Sequence, residues 1–377
     1  MISILFFIES LSGGGAEKVL RNLVSAMDQQ RFAITVQTLY PEEIAQSLRP
    51  GIRYRYCYPA ATKWNNARMR LEAALGWTYP LHIRGDYDIE VAYLECGSTK
   101  IMAGSTNRRA VKLAWVHCDL AKKAADPAAF ARETAKYYKE FDKIICVSQD
   151  VRRSFAEMYG MPEKLVTLYN CYDDAEILTL AQNPLPAHVT KRRLTGLAIG
   201  RLTEQKGFDR LLRVQKRLRD AGVCYDLWIL GDGPQRAMLE RFIAENQLSD
   251  SVRLFGFQEN PYAFIRAADF LICASRYEGF STVVVEGLIL GTPTVTTDCT
   301  GMGELLGDSE YGLITENDEE ALYFGLHRML TEPKLREHYQ EMAKKRGTAF
   351  RQDILSQATE RFLADEWKQK TECWHGR

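Results

Sequence analysis

The chain lacks the residue spacings that hold metals or structural disulfides. Its nine cysteines include no C-x-x-C pair, and its six histidines form no cluster. Disulfide frameworks and zinc sites need closely spaced ligands, whereas scattered thiols are typical of the reducing cytoplasm. We therefore expect a cytoplasmic protein with neither a disulfide framework nor a zinc site.

The chain also lacks a charge bias and a long apolar run. Lysine plus arginine and aspartate plus glutamate each number 49, so no global field selects nucleic acid. No segment approaches the ~20 consecutive apolar residues that span a bilayer. The apolar residues 1–8 have no basic segment before them and meet Glu9 at once. They predict a buried strand rather than a targeting segment, in a protein that is soluble or at most peripheral to a membrane.

Another absence is the G-x-G-x-x-G fingerprint of dinucleotide-binding folds, which disfavours a nicotinamide enzyme. The chain instead has a glycine-rich turn, Ser10–Val19, between the first strand and a helix. Glycines allow the backbone to approach a ligand closely, and the start of a helix favours anions. A tight turn without a ligand is the alternative interpretation.

Short apolar runs alternate with helical patterns along the whole chain, which predicts doubly wound parallel sheets and an α/β fold. The length favours two domains over one. Residues 181–193 are proline-rich and polar, as in a linker. We therefore predict a first domain at residues 1–185 and a second at residues 186–352, followed by a helix at residues 353–370.

The stretch Arg276–Pro293 contains two carboxylates, Glu278 and Glu286, separated by seven residues. An apolar strand precedes it, and its own pattern predicts a helix over Thr282–Leu290. Glu278 would lie in the loop at the carboxyl end of the strand, beside backbone N–H groups of residues 279–283 that form an anion site. A rise of ~1.5 Å per residue places the two carboxylates on the order of 10 Å apart, roughly the length of a nucleotide sugar.

Charged side chains at two further places in the sequence suggest a binding role. Glu286 lies among apolar residues, where an unpaired charge is destabilising. It either forms a buried pair with a distant arginine or lysine, or accepts ribose hydroxyls as an acidic residue does in dinucleotide folds. Arg201 and Lys206 follow an apolar strand that ends at Gly200, and the pattern predicts a helix that begins near Thr203 or Glu204. A guanidinium fork and an ammonium group together suit a diphosphate, although either alone is more often a surface charge.

These motifs resemble those of retaining glycosyltransferases with the GT-B fold, family four, also known as glycosyl transferases group 1. The resemblance lies in Glu-Gly-Phe-Ser at residues 278–281, Val-Val-Val-Glu-Gly at residues 283–287 and Gly-Thr-Pro at residues 291–293. Gly-Arg-Leu-x-x-x-Lys-Gly-Phe at residues 200–208 and Gly-Gly-Ala-Glu at residues 14–17 extend it over nearly the whole chain.

The resemblance implies an α/β protein with two Rossmann-like doubly wound domains facing across a cleft, the GT-B architecture. Residues 1–185 would bind the acceptor, and residues 186–352 would bind the nucleotide-sugar donor. The helix at residues 353–370 would pack back on the first domain.

The resemblance also implies roles for individual residues. Arg201 and Lys206 would bind the diphosphate. Glu278 would hold sugar hydroxyls, and Glu286 would hold the ribose. His117, at the end of a predicted strand, would orient the transferred sugar, although a lone histidine is more often structural. The other implied donor-binding positions are Gly14, Gly15, Gly279, Phe280, Ser281 and Val283.

The implied reaction moves a hexose-type sugar, with retention, from a nucleotide diphosphate sugar to a hydroxyl of a glycan or lipid-linked acceptor in cell-surface polysaccharide synthesis. Because a UDP-sugar is a frequent donor in this family, we expect a UDP-sugar here. In the family the leaving phosphate takes the acceptor proton, so we expect no metal and no other cofactor. Open alternatives are an inverting GT-B transferase, a sugar-nucleotide epimerase and a non-catalytic nucleotide-sugar-binding protein.

One motif argues for a metal, but weakly. Asp86-Tyr-Asp88 forms a D-x-D, which holds a divalent metal in another glycosyltransferase class. Here it precedes a predicted strand as a short polar turn. We therefore expect no metal at this position.

Two segments of the first half are locally basic. Residues 49–70 contain six basic side chains and no acid, interleaved with tyrosines and Trp64, and residues 100–123 contain only Asp119 as an acid. Basic residues mixed with aromatic residues are suited to contact the anionic inner face of a membrane, or to bind a phosphorylated acceptor. Solvated loops are an equal alternative, and nucleic acid is disfavoured because no binding motif is present.

Overall fold

The structure, a computed structural model, describes residues 1–12 and 14–375. The chain divides into two compact units. The first comprises Met1–Tyr172 together with the helix that starts at Gln352, and the second comprises Asp173–Arg351. Each unit is built on a parallel sheet whose strands alternate with helices, so the predicted α/β class is confirmed.

The described part of the first unit contains seven parallel strands and the segments that connect them. The strands are β1 (Ile2–Phe7), β2 (Phe32–Thr38), β3 (Arg53–Tyr56), β4 (Ile89–Ala92), β5 (Val111–Val116), β6 (Lys143–Cys146) and β7 (Leu165–Thr167). The helices between them are α1 (Gly15–Ala26), α2 (Lys63–Ala74), α3 (Thr78–His82), α4 (Gly97–Met102), α5 (Leu120–Lys123), α6 (Pro127–Tyr138) and α7 (Gln149–Tyr159). The strand order is β3-β2-β1-β4-β5-β6-β7.

The second unit, all of whose residues are described, contains six parallel strands. They are β8 (Thr195–Ile199), β9 (Asp226–Leu230), β10 (Val252–Gly256), β11 (Phe270–Cys273), β12 (Thr294–Thr297) and β13 (Leu313–Thr315). Its helices are α8 (Asp174–Leu180), α9 (Phe208–Asp220), α10 (Arg236–Glu245), α11 (Tyr262–Ala267), α12 (Thr282–Leu290), α13 (Met302–Leu306), α14 (Glu319–Thr331) and α15 (Pro333–Gly347). The strand order is β10-β9-β8-β11-β12-β13, and the last helix of the chain is α16 (Gln352–His375).

Most strands are apolar on both faces, as expected for parallel strands that helices cover on both sides. Ile4, Phe6 and Leu113 are fully buried in the first sheet, and Leu197 and Ile229 are fully buried in the second. The exception is β3, an edge strand whose side chains are largely exposed. The sequence pattern did not predict β3 because an exposed edge strand has no apolar run.

The strand order reverses between β1 and β4 in the first sheet and between β8 and β11 in the second. Phe7 of β1 lies beside Ala92 of β4, and Leu197 of β8 lies beside Leu271 of β11. The loops that leave these strands therefore emerge together at the carboxyl edge of each sheet. Open α/β sheets bind their ligands at such switch points.

The break between the units lies between Tyr172 and Asp173, before α8, whereas the linker composition placed the boundary near residue 185. Helix α8 packs on α11 and α12 of the second unit. The side chain of Asn260 also donates a hydrogen bond of 2.9 Å to the carbonyl oxygen of Leu180. The segment predicted as the linker, residues 181–193, therefore lies within the second unit.

Helix α16 packs on α1 and β5, within the first unit. Glu360 of α16 accepts a hydrogen bond of 2.8 Å from the backbone N–H of Asp28 and pairs with Arg31 at 3.1 Å. Lys370 pairs with Asp142 at 2.7 Å. The second unit is thus inserted into the sequence of the first, between β7 and α16.

The two aspartates of the D-x-D motif lie away from the switch points. Asp88 accepts hydrogen bonds of 2.7 Å from the backbone N–H of Ser3 and 2.8 Å from its hydroxyl. Ser3 is at the amino end of β1, the edge opposite the switch loops. Across residues 1–12 and 14–375 no group of three metal-ligating side chains occurs, and no helix has the length and apolar character needed to cross a membrane.

A close backbone approach fixes the geometry at the second switch point. Gly207, directly before α9, has a φ of +65°, in the left-handed region that favours glycine. A Cβ atom at this position would lie 2.0 Å from the carbonyl oxygen of Ala274, directly after β11. Glycine therefore allows the loops after β8 and β11 to meet.

We predict that Gly207→Ala destabilises the protein more than Gly222→Ala. Gly222 also has a positive φ, +81°, but a Cβ atom there meets nothing within 4 Å. Gly222→Ala therefore carries conformational strain of about 1 kcal/mol, whereas Gly207→Ala adds a backbone clash and loses at least about 2 kcal/mol more. Urea unfolding followed by circular dichroism measures both losses, and equal values would contradict the role given to this approach.

Candidate functional site

Two of the predicted site residues meet at the switch point of the second sheet. Lys206 lies in a short 3-10 turn after β8, and Glu278 lies in the loop after β11. The Lys206 Nζ atom is 2.6 Å from Glu278 Oε1, and the Ser275 hydroxyl donates to the same oxygen at 2.6 Å. Burial by itself lowers the pKa of Lys206, but the adjacent Glu278 carboxylate outweighs it, and the pKa lies above its ordinary value. Lys206 is therefore a cation at neutral pH.

The helix after Lys206 begins later than the sequence indicates. The pattern predicted a start near Thr203 or Glu204, but α9 begins at Phe208. The left-handed Gly207 ends the 3-10 turn and separates Lys206 from the helix. Lys206 thus stands in the connection before α9 and not in its first turn.

A buried arginine that the sequence analysis did not single out holds this loop. The Arg210 guanidinium donates to the carbonyl oxygens of Ala274, at 2.7 and 2.9 Å, and of Ser275, at 2.8 Å. The Thr297 hydroxyl donates to the Ser275 carbonyl as well, at 2.7 Å. Arg210 therefore positions the backbone from which Glu278 projects. Its sequence signal is a charged residue among the buried apolar positions of an amphipathic helix.

Glu286 occupies the helix that the sequence predicts. Helix α12 spans Thr282–Leu290 and ends at the left-handed Gly291. Glu286 is buried, and the Tyr262 hydroxyl donates to its Oε1 atom at 3.4 Å. Burial, with the neighbouring Glu286 charge, raises the pKa of Tyr262 well above its usual range. Tyr262 therefore stays protonated and remains a hydrogen-bond donor.

The other predicted donor-binding positions of this unit lie between Glu278 and the first turn of α12. Gly279, Phe280 and Ser281 are buried, and Val283 is partly buried. Ser281 is the N-cap residue of α12, but its side chain accepts no hydrogen bond from the helix. That side chain therefore does not compete with a ligand for the N–H groups of the helix start.

Arg201 stands apart from these contacts. It follows β8 within two residues and is exposed, and its side chain has no hydrogen bond or ion pair among the described residues. A free guanidinium next to Lys206 in the same loop provides a second, uncommitted positive charge at this switch point.

The glycine-rich turn lies at the switch point of the first sheet. Gly14 is the N-cap residue of α1, and Gly15 is its first residue. A Cβ atom on Gly14 would lie 2.5 Å from a carboxylate oxygen of Glu17. Glu42 holds the preceding residues by accepting hydrogen bonds from the backbone N–H of Leu11, at 2.8 Å, and from a serine hydroxyl. Carboxylates therefore border this turn.

His117 follows β5 at the same edge of the first sheet. Its ring lies 4.9 Å from the ring of Tyr93, and its Nε2 atom is buried and has no hydrogen-bond partner among the described residues. Burial lowers the pKa of His117 to about 4, although the Glu95 charge opposes this shift. The imidazole is therefore neutral near pH 7 and has one ring nitrogen to offer to a ligand.

Glu95 is a buried residue of this edge that the sequence analysis missed. It accepts hydrogen bonds from the backbone N–H of His117 at 3.0 Å, the Cys118 thiol at 2.9 Å and the Lys123 ammonium at 3.1 Å. Burial by itself raises the pKa of Glu95. Lys123 and the other partners lower this pKa by more than burial raises it, so it lies below its ordinary value. The carboxylate therefore stays ionised and ties the loops after β4 and β5 together. Its position directly after a predicted strand was the available signal.

A second missed carboxylate lies beside it. Glu9 follows β1, and burial raises its pKa. A Cβ atom on Gly97 would come 2.2 Å from Glu9 Oε1, so this glycine makes room for the carboxylate. The structure thus assembles two groups, each within its own unit: a cation–carboxylate group in the second, and carboxylates with a neutral histidine in the first.

The pKa of His117 leads to a test of its burial. Between about pH 6.5 and 4 the unfolded chain binds a proton at His117 and the folded protein does not. The unfolded state therefore holds more protons in this window, so folding stability falls as the pH falls. From pH 7 to pH 5 this loss amounts to about 2 kcal/mol.

We expect His117→Gln to remove that part of the pH dependence, and the exposed His338→Gln to keep it. The measurement is the free energy of unfolding in urea at pH 7 and pH 5. If His117→Gln lost as much stability on acidification as the unsubstituted protein, the histidine would not be buried in its neutral form.

Two family models match the chain. The model described as "Glycosyl transferases group 1" matches residues 188–346, and the model described as "Glycosyltransferase Family 4" matches residues 13–176. Together they span most of both units. The chain belongs to the family-four, group 1 glycosyltransferases, so the predicted family is confirmed.

Curated relatives and solved structures agree with this assignment. A Campylobacter jejuni N-acetylgalactosamine-N,N'-diacetylbacillosaminyl-diphospho-undecaprenol 4-alpha-N-acetylgalactosaminyltransferase is 35% identical over 56% of the chain and 57% of that relative. The chain spans a similar share, 57% to 58%, of two other curated relatives. The amylovoran biosynthesis glycosyltransferase AmsD of Erwinia amylovora is 24% identical over 94% of the chain and 97% of its own length.

The likeness to solved structures confirms the GT-B fold. HepE of Anabaena, solved in complex with UDP and glucose, has a TM-score of 0.74 and 18% sequence identity. The match covers 97% of this chain and 100% of HepE. At this level of identity the likeness concerns the fold alone.

Proposed function

We propose that the protein is a retaining glycosyltransferase that moves a hexose-type sugar from a UDP-sugar to a hydroxyl of a glycan or lipid-linked acceptor in polysaccharide synthesis. The observation that carries the proposal is the contact of Lys206 with Glu278, which joins a cation and a carboxylate at one switch point. The ammonium suits a diphosphate, and the carboxylate suits sugar hydroxyls. HepE, solved with UDP and glucose, and the diphospho-undecaprenol in the Campylobacter relative's name support the donor and the acceptor class.

The proposed chemistry needs positive charge where the diphosphate leaves. The bond from the anomeric carbon to the diphosphate oxygen breaks while the acceptor oxygen bonds to the same face, and its proton passes to the leaving phosphate. Lys206 has three N–H donors, and Glu278 takes one of them. The remaining donors, with the free fork of Arg201, stabilise the developing negative charge. We propose that these two cations serve in place of a metal ion.

Glu278 is placed to hold the sugar. Its Oε1 atom accepts from Lys206 and from Ser275. Its Oε2 atom makes no hydrogen bond with the described residues and is available to sugar hydroxyls. The buried Oε1 contacts fix the direction of the carboxylate, so the hydroxyl position, rather than charge alone, is recognised.

Glu286 and the helix start complete the donor site in this proposal. Glu286 accepts from the ribose hydroxyls, with Tyr262 as a neighbouring donor that keeps the carboxylate satisfied when no ligand is bound. The N–H groups of the backbone from Gly279 to Val283 face the negative part of the donor. Nothing in this arrangement requires a further cofactor.

The first unit suits a neutral, hydroxyl-bearing ligand. Glu9, Glu17 and Glu95 lie at or beside its switch point, and their carboxyl groups can accept hydrogen bonds from sugar hydroxyls. The neutral His117 offers a hydrogen bond to the transferred sugar and does not add charge. We therefore assign the acceptor sugar to this unit and the diphosphate to the second.

We expect Lys206→Met to lower the rate of sugar transfer about 10²- to 10³-fold, because one donor to the leaving diphosphate is lost. The substitution also leaves the buried Glu278 without its cation, so Lys206→Met/Glu278→Gln is needed as a second variant. It should fold like the unsubstituted protein and remain inactive. Lys216→Met, which breaks only a surface pair with Asp220, is the matched control and should keep full activity. A Lys206→Met enzyme of near-normal rate would overturn the assignment.

The stereochemistry separates the proposal from its alternatives. We expect NMR of the first-formed product to show the same anomeric configuration as the donor. A product of opposite configuration identifies an inverting transferase, and conversion of the donor to its epimer without an acceptor identifies an epimerase. A protein that a panel of nucleotide sugars stabilises against heat, but that neither transfers nor hydrolyses any of them, is a binding protein.

A further inference from the structure

A second ion pair joins the two loops that carry Lys206 and Glu278. Arg276 lies two residues before Glu278, in the loop after β11. Asp209 lies three residues after Lys206, in the first turn of α9. The Arg276 guanidinium donates to both oxygens of the Asp209 carboxylate, at 2.9 and 2.8 Å. Such a two-pronged contact fixes the direction of approach as well as the distance.

The backbone around Arg276 is tied to the same neighbouring loop. The N–H of Arg276 donates to the carbonyl oxygen of Gln205 at 2.7 Å. The Gln205 side chain in turn donates to the carbonyl oxygen of Tyr277 at 3.0 Å, and the Arg276 guanidinium also donates to the carbonyl oxygen of Glu204. The loop after β8 is thus held against the loop after β11 by backbone contacts as well as by charge.

The carboxylate of this second pair is ionised at neutral pH. Burial by itself raises the pKa of Asp209, but the hydrogen bonds and charge of Arg276, together with the charge of Arg213, outweigh it and lower the pKa to about 2. Arg213 also donates to Asp209, at 3.2 Å. The pair between Arg276 and Asp209 is therefore formed without any ligand.

The two pairs differ in what sugar transfer demands of them. In the proposed reaction, negative charge develops on the leaving diphosphate and attracts the Lys206 ammonium, which weakens its contact with Glu278. The Arg276 fork is directed at Asp209 and at a backbone carbonyl, so this second contact is not drawn upon by the donor. The second pair can therefore keep the loops together while the first is engaged.

We propose that Arg276 and Asp209 are positioning residues for sugar transfer, which hold Lys206 and Glu278 in register while the diphosphate departs. The inference rests on the proposed function, because it assigns the pair to the transfer step. Arg276 and Asp209 act through Lys206 and Glu278 and do not bind the donor themselves. Loosened loops would shift the cation relative to the sugar carboxylate, and a displacement of about 1 Å costs about 100-fold in rate.

The first test is the release of UDP from UDP-glucose, UDP-galactose and their N-acetylamino analogues, with the fastest donor used for kinetics. We expect Arg276→Gln and Asp209→Asn each to lower kcat about 10- to 100-fold, with KM for the donor and Kd for UDP changed less than about threefold. Arg276→Lys keeps the charge without the fork and should recover part of the loss. The double variant should be no slower than the slower single variant, because the two residues act through each other.

Arg328 in α14 provides the matched control. Its guanidinium also forms a two-pronged contact, with Glu332 at 3.0 and 3.3 Å, but on the surface of a helix that contributes to neither loop. Arg328→Gln should keep kcat within about twofold, since an exposed pair contributes little. Urea unfolding measures the stability of every variant. If Arg276→Gln lost stability but kept its kcat, the pair would be structural only and the inference would be wrong.

The second test is amide hydrogen exchange, which needs no donor. In Lys206→Met/Glu278→Gln the first pair is absent, and we expect residues 203–208 and 275–279 to retain part of their protection. Adding Arg276→Gln to this variant should speed exchange in both segments about tenfold or more, and adding Arg328→Gln should not. Equal exchange by the two triple variants would overturn the inference alone. If exchange follows this expectation but the unsubstituted protein releases no UDP from any donor, the proposed function fails, and the role in transfer fails with it.

Discussion

The part-buried ion pair of Lys206 and Glu278 imposes the main constraint on the second unit. Charges that are partly removed from water need close and well-directed partners, or the structure loses stability. That requirement brings the loops after β8 and β11 into contact, and the absence of a side chain on Gly207 allows it. Arg210 then fixes the carbonyl groups directly after β11, so that the Glu278 carboxylate points toward the Lys206 ammonium. The geometry of the proposed donor site follows from satisfying one pair of charges.

The two switch points are alike in topology and differ in their charged groups. In the second unit, Lys206 and Arg201 supply positive charge beside a single carboxylate. In the first, Glu95 is ionised, and His117 is held neutral by burial. In the function proposed above, the diphosphate binds at the edge that carries Lys206 and Arg201, and carboxylates at both edges accept hydrogen bonds from sugar hydroxyls. On this proposal, a few side chains at the strand ends give the same fold different ligand preferences.

The sequence predicted the elements that depend on local signals. The limits of α12 were correct because an apolar run ends at a glycine that adopts the left-handed conformation. Strand β3 was missed because its exposed Arg53–Tyr56 segment has no apolar pattern. The predicted start of α9 was too early, because Gly207 interrupts the helix in a left-handed conformation. There it packs against the carbonyl oxygen of Ala274, which lies 67 residues later in the sequence. The roles of Arg210 and Glu95 also escaped notice, since their partners are set by tertiary contacts that no spacing within a motif records.

The insertion of the second unit between β7 and α16 affects how the chain folds during synthesis. Residues 173–351 leave the ribosome before the helix that covers α1 and β5 exists. At roughly 5–20 residues per second, the first unit waits about ten seconds or more for that helix. Its surface beneath α16 stays uncovered throughout this interval, although the seven strands β1–β7 have already been made. The second unit, residues 173–351, is therefore the first of the two to have its whole sequence available.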